Sequence, residues 1–190
     1  LSPEELVQVI GDYDGLMIRS GTQVTAEVIA AASRLKIIGR AGVGVENVDV
    51  PAATQRGVLV VNSPEGNTIA AAEHALAMML SISRHVPQAH AGMRVGKWDR
   101  KKYVGNELYK KTLGVVGLGK IGSHVAKVAR AMGMEVIAYD PFIAADRAQQ
   151  MQVRLTDLAE LFRTADYVTL HIPRTKDTEN LVNAELLRTM

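Results

Sequence analysis

"TLGVVGLGKIGSHVAKV", residues 112–128, decides how this chain is read. An apolar run ends in Gly117, Gly119 and Gly122 at G-x-G-x-x-G spacing, and a stretch of helical periodicity follows at once. Strand, glycine turn and helix in that order make a turn suited to a dinucleotide. Gly117 permits the tight turn, Gly119 lets the backbone approach a pyrophosphate, and Gly122 lets helix and strand pack closely. The helix opens at Lys120 and Ile121 and aims free N–H groups and its positive dipole end at the phosphates. A second apolar run, "EVIAYD" at 135–140, ends in Asp140, at about the 20-residue offset where a carboxylate accepts the ribose hydroxyls. That carboxylate repels a 2′-phosphate, and Pro141 and Phe142 follow it where an arginine would be needed, so the expected cofactor is NAD and not NADP. The competing reading, a tight turn beside a surface aspartate, requires all four elements to coincide by chance.

Composition narrows the classes around that motif. The 190 residues suit one domain or two small ones, and 47% of them are apolar, enough for a buried core. Net charge is +2 with both signs interspersed, which makes no electrostatic case for nucleic acid or a membrane surface. The absence of cysteine removes disulfides, thiolate nucleophiles and cysteine-held metals, and fits a reducing compartment. Leu1 to Ile10 carries acids and no basic stretch, so it does not read as a secretory signal. The most apolar stretch, Thr68 to Ile82, includes Glu73 and His74 and is too short to span a bilayer. A soluble, cytoplasmic chain is expected, with a plastid or other organelle as the alternative.

Outward from the motif, helix and strand alternate, as in parallel sheets with covering helices. Ser2, Pro3 and Glu5 read as a capped helix start, followed by a short buried strand at Gly15–Ile18. "VTAEVIAAASRL" (24–35) is helical, Lys36 to Ile38 returns to strand, "VDVPAATQRG" (48–57) is a helix closed by Gly57, and "VLVV" (58–61) is a further buried strand. Thr68 to Arg84 is a long helix, apolar nearly all round and therefore expected to be buried, while the polar stretch at 86–111 reads as a crossing between two units. Strands at 113–117, 135–139 and 167–171 then alternate with helices at 120–132 and 156–163, and "NAELLRTM" (183–190) reads as a last helix. The expected division is 1–65, 66–111 and 112–190.

Several stretches together resemble a known family: "GLMIRSGTQVT" (15–25), "IIGRAGVGVENVDVPAATQRGVLVVNSPEGNTIAAAEH" (37–74), "GKWDRKKYVGNEL" (96–108), "TLGVVGLGKIG" (112–122), "VIAYDP" (136–141) and "DYVTLHIP" (166–173). The chain is similar to the D-isomer-specific 2-hydroxyacid dehydrogenases over nearly its whole length, most of all to members that oxidise 3-phosphoglycerate at the start of serine synthesis. The resemblance implies an α/β fold of two doubly wound parallel-sheet domains, both incomplete here: a flavodoxin-like substrate domain and a Rossmann NAD-binding domain. It also implies a homodimer or homotetramer built on the long helix and crossing segment, an interface that the methionines of "ALAMMLSI" (75–82) would suit. Glyoxylate or hydroxypyruvate reductases and NAD-sensing corepressors of the same fold are the alternatives.

A substrate with a carboxylate and a phosphate needs fixed cations, and arginine forks match both groups. Arg19 and Arg40 follow strand ends, where ligands collect in open α/β sheets, and Arg100 lies in "KWDRKK" (97–102). The resemblance implies that all three face the substrate phosphate and its surroundings. Solvated surface roles compete, least for Arg40 beside its run of small residues and most for Arg100 in its basic cluster. "AGVGVENVD" (41–49) and "NSPEGNT" (62–68) read as backbone anion loops by the same likeness, with Asn67 toward the substrate; Asn67 or Thr68 as a helix N-cap is compatible with that. The resemblance also places Val43 at the nicotinamide end, where it can give only backbone and apolar contact. Ile172 and Pro173, in "LHIP" (170–173), lie by likeness on the adenine side, with Ile172 replacing a residue that often carries a hydroxyl.

Oxidising a hydroxy acid requires a base and a cation that polarises the forming carbonyl. The family uses a histidine paired with a glutamate, plus an arginine, and its pattern places all three beyond Met190. None of His74, His85, His90, His124 or His171 stands in that context, so each reads as structural or solvated. The 190-residue chain purified alone is therefore expected to give no NADH from 3-phosphoglycerate; steady absorbance growth at 340 nm (the NADH band) would refute this.

Overall fold

The computed structural model describes residues 1–190 and divides them into two compact units, Leu1–Asn67 and Thr68–Met190. In the first unit, helix α1 (Pro3–Val9) opens with a full capping box: Ser2 Oγ accepts from the Glu5 N–H, and the Glu5 carboxylate accepts from the Ser2 N–H. Strands β1 (Gly15–Ile18), β2 (Ile37–Arg40) and β3 (Leu59–Asn62) are parallel and adjacent in that order. They are joined by α2 (Ala26–Ala31), capped by Thr25, and α3 (Val50–Gln55), capped by Asp49.

The register aligns Leu16, Ile38 and Val60. With Ile18 they form the face that packs on the core of Leu6, Ile10, Val28 and Ile29. The opposite face carries Met17, Ile37, Leu59 and Val61, all exposed. The strands at 15–18 and 58–61 were expected to be buried; each is covered on one side only. Apolar runs of this kind imply cover on both faces, but α1, α2 and α3 all share the core of one face.

The second unit begins with α4 (Thr68–Ser83) and α5 (Val86–Arg94). It continues through β4 (Thr112–Val116), α6 (Lys120–Ala131), β5 (Glu135–Tyr139), α7 (Ala145–Gln150), β6 (Arg154–Leu155), α8 (Leu158–Thr164), β7 (Tyr167–Leu170) and α9 (Ala184–Leu187). Its four strands are parallel in the order β6-β5-β4-β7. Alternation along β4 sends Leu113 and Val115 to a core shared with α4 and α6, and Val116 to a second core with Ile137, Leu161 and Phe162. This sheet is covered on both faces.

From residues 66–111, Ala72, Leu76 and Leu108 join the core of Leu113 and Val125, and the unit boundary falls at Asn67. Three expectations change here. Helix α4 is not buried all round; Ala72, Leu76 and Ser83 face inward, while Ile69, Met78, Leu80 and Ile82 are exposed. The crossing stretch contains α5, whose turn from α4 uses His85 in the left-handed region (φ 54°) with Pro87 in the first helical turn. Short α7 and two-residue β6 went unforeseen, since six and two residues carry almost no periodic signal.

Phe162 is 1% exposed at the centre of the second core. Phe162→Ala should lower stability by about 3–5 kcal/mol, read from urea denaturation midpoints; a loss below about 1 kcal/mol would mean that this core is loosely packed.

Candidate functional site

In the second unit the chain steps outward from β4 through β5 to β6, then returns to the other side of β4 as β7. The reversal opens a crevice at the carboxyl ends of β4 and β7, the usual ligand position in such sheets. Gly117 turns out of β4 with φ 92°, a conformation that side chains strain to adopt. A Cβ there would stand 2.7 Å from the His171 carbonyl oxygen and from Ile172 Cγ2, so bare backbone is also needed to pass the end of β7. A Cβ on Gly122 would run into the Gly117 carbonyl, whereas around Gly119 there is nothing within 4 Å. Two glycines thus make close packing and one leaves open space.

Helix α6 starts at that open space. Gly119 is its N-cap without a side-chain bond, and its carbonyl accepts the first helical bond, from Ser123 at 2.9 Å. The earlier N–H groups lie outside the helical ladder and, with the dipole, favour an anion. Asp140 crosses from the end of β5: Oδ2 accepts the Leu118 N–H at 2.7 Å and Oδ1 the Phe142 N–H at 2.9 Å. A carboxylate has about four acceptor positions, so two remain for other donors. Lys120 also begins an open groove of about 590 Å³ with His124, Lys127, Arg130 and Arg147 on its walls and no carboxylate. This field draws anions toward the turn.

Ile172 packs its side chain on the core of Val116 and Phe162, leaving little of it for a ligand, while Pro173 is exposed. His171 is half-buried, its Nε2 2.9 Å from Thr169 Oγ1. Burial holds its pKa below the ordinary 6.5. The folded protein then binds fewer protons than the unfolded chain, so this contribution to stability is full above pH 6.5 and is lost as pH falls through the lower folded value.

In the first unit, Arg40 ends β2 beside Ile18 of β1, and Arg19 follows Ile18, so both stand at the carboxyl ends of adjacent strands. Arg19 is exposed. The Arg40 side chain is only 10% exposed, lies across Gly42 where any Cβ would overlap Nη1, and has a buried Nε with no hydrogen-bond partner. An unsatisfied buried donor is rare and costs about 1–3 kcal/mol. Val43 is half-buried, and its carbonyl accepts from Asn62 Nδ2 at 2.6 Å. Asn67 is exposed at the boundary of the unit. Arg100 is exposed on a short 3-10 turn, Arg100–Tyr103, in the second unit.

One residue escaped the sequence reading. Asn47 is 5% exposed, and its Nδ2 donates to the carbonyls of Arg19 at 3.0 Å and Thr22 at 2.6 Å, tying the glycine loop to the end of β1. An asparagine before a helix cap reads as an ordinary turn residue, and only the folded contacts show its span.

The sequence pattern of the D-isomer specific 2-hydroxyacid dehydrogenase NAD binding domain matches residues 76–190. The chain is 62% identical over its full length to D-3-phosphoglycerate dehydrogenase of Synechocystis, covering 34% of that protein. It is 50% identical to the enzyme of that name from Methanocaldococcus jannaschii, again over all of this chain and 36% of the relative. The chain thus spans about a third of the length of these relatives. Among solved structures, the TT0316 protein of Thermus thermophilus superimposes with a TM-score of 0.91 at 36% identity, over 98% of this chain and 60% of that one. D-lactate dehydrogenase of Aquifex aeolicus, solved with NAD and lactic acid, gives 0.87 at 29% identity, over 97% and 55%.

The His171 geometry makes a prediction. As pH rises toward 6.5 from the acid side the unfolding free energy should rise, and His171→Gln should flatten that slope. An unchanged slope in the variant would show that the ring titrates normally.

Proposed function

The chain belongs to the D-isomer specific 2-hydroxyacid dehydrogenase family, and on that premise we propose that it carries the NAD turn and the anion cradle of an enzyme oxidising 3-phosphoglycerate to 3-phosphohydroxypyruvate, the first step of L-serine synthesis. The observation that carries the substrate side is the nearly buried Arg40 with its unpartnered Nε. The names of the relatives at 50–62% identity point to the same substrate.

The residues at the switch point fit NAD. Gly119 leaves the space, the N–H groups opening α6 at Lys120 and Ile121 supply donors, and Gly117 and Gly122 hold the turn close to the strand. The two remaining acceptor positions of Asp140 suit paired ribose hydroxyls, and its charge together with Pro141 and exposed Phe142 disfavours a 2′-phosphate. Ile172 and Pro173 serve as wall and backbone, and Val43 as an apolar contact. When bound, NAD supplies the hydride acceptor. Arg40, Arg19, Arg100 and Asn67 orient the acid by its anionic groups, the positioning part of the rate enhancement. The base and the carbonyl-polarising cation belong, in this reading, to parts of the enzyme other than these 190 residues.

The exposed Ile69, Met78, Leu80 and Ile82 of α4 suit a second subunit, so a homodimer or homotetramer is part of the reading. No helix is long and apolar enough to cross a membrane, and the setting proposed is the cytoplasm or a plastid.

A second reading is favoured by the likeness to the D-lactate dehydrogenase structure: a non-phosphorylated 2-hydroxy acid on the same scaffold. Arg19→Ala and Arg100→Ala in the full-length protein separate the two. Each should raise KM for 3-phosphoglycerate about 10- to 100-fold with kcat little changed, the loss expected for hydrogen bonds to a charged group. Equal losses with a non-phosphorylated acid would favour the second reading.

A further inference from the structure

Arg40 has one ion pair, and its geometry is unusual. Glu46 Oε1 stands 3.8 Å from Arg40 Nη2, within Coulombic reach but too far for a hydrogen bond. The partners are unlike: the arginine side chain is 10% exposed and the glutamate 74%. A guanidinium so far out of water needs an opposing charge, and the one this chain provides is loosely held and nearly free to leave.

The loop between them is shaped for this arrangement. In "RAGVGVE", residues 40–46, the glycines stand at alternate positions between the two charged residues. Gly42 lies under the guanidinium, and its φ of 151° also disfavours a side chain. Gly44 has no such backbone requirement; a Cβ there would overlap Glu46 Oε2 and stand 2.8 Å from Glu46 Cδ. Bare backbone at 42 therefore makes room for the cation, and bare backbone at 44 for the carboxylate that folds back toward it.

We propose that Glu46 is a built-in competitor for the Arg40 cradle: its carboxylate holds the place of the ligand anion and is exchanged for it on binding. The proposal rests on the reading of Arg40 as an anion site. Exchange replaces one negative charge beside the guanidinium with another, so Arg40 is never left uncompensated. A phosphate of about two charges outbids a single carboxylate, and Glu46 sets the threshold an incoming anion must exceed.

Equilibrium binding of inorganic phosphate and of 3-phosphoglycerate, measured by calorimetry on the wild-type protein and three variants, tests this. Glu46→Gln removes the competing charge. Gly44→Ala displaces the Glu46 carboxylate while retaining it, through a side-chain tip that moves easily, and so gives an independent route to the same state. Both should bind about three- to fivefold tighter, the scale of an exposed ion pair, and the gain should shrink as salt rises. Arg40→Gln should abolish the binding. If Arg40→Gln binds as the wild type does, the anion-site reading falls and this proposal with it. If Arg40→Gln loses binding but Glu46→Gln and Gly44→Ala bind equally or more weakly, Glu46 orients the arginine or is merely solvated; the competitor role is then overturned while the anion site stands.

Discussion

Backbone pressed against backbone at Gly117 and Gly122 is the constraint on which the second unit depends. With the Gly117 carbonyl occupying the space of a Cβ on residue 122, α6 leaves β4 at one close distance and in one direction. That direction decides where the N–H groups of its first turn point. The same turn brushes the carbonyl of His171, so the ends of β4 and β7 are held together at the one place where the strand order reverses. Asp140 completes the arrangement by accepting the Leu118 N–H, which fixes the middle of the turn while leaving acceptor capacity over. A side chain at either glycine would have to move backbone, which is far stiffer than a rotamer.

The two units handle charge in opposite ways. The second spreads cations along a groove, with Lys120, Lys127 and Arg147 exposed, where water screens them and they cost little. The first places one guanidinium almost out of water, leaves a donor unpaired, and accepts the instability this brings. Unsatisfied polar atoms of this kind collect where a protein receives something. Asn47 belongs to the same pattern, since its buried Oδ1 also lacks a partner while its Nδ2 holds the loop in place.

Much of this was legible in the sequence, for physical reasons that differ by element. The capping box at Ser2 and Glu5 is a local code of side chain and backbone, readable from four residues. The turn at 117–122 is legible because only glycine meets its spacing demands. What escaped depends on non-local contact. An apolar β3 reads the same whether one face is covered or two, and only the positions of the helices distinguish them. Helix α4 looked buried because composition does not say which side has a neighbour. The loose pairing of Arg40 with Glu46, six residues apart, needs the fold of the intervening loop to become visible.

The single-sided sheet of the first unit has a thermodynamic consequence. Met17, Ile37, Leu59 and Val61 hold water on a surface that would gain by losing it. Any body that settles on that surface binds the folded form and not the unfolded one, so it shifts the equilibrium by mass action. Cover on that face stabilises the first unit in proportion to the apolar area it removes from water.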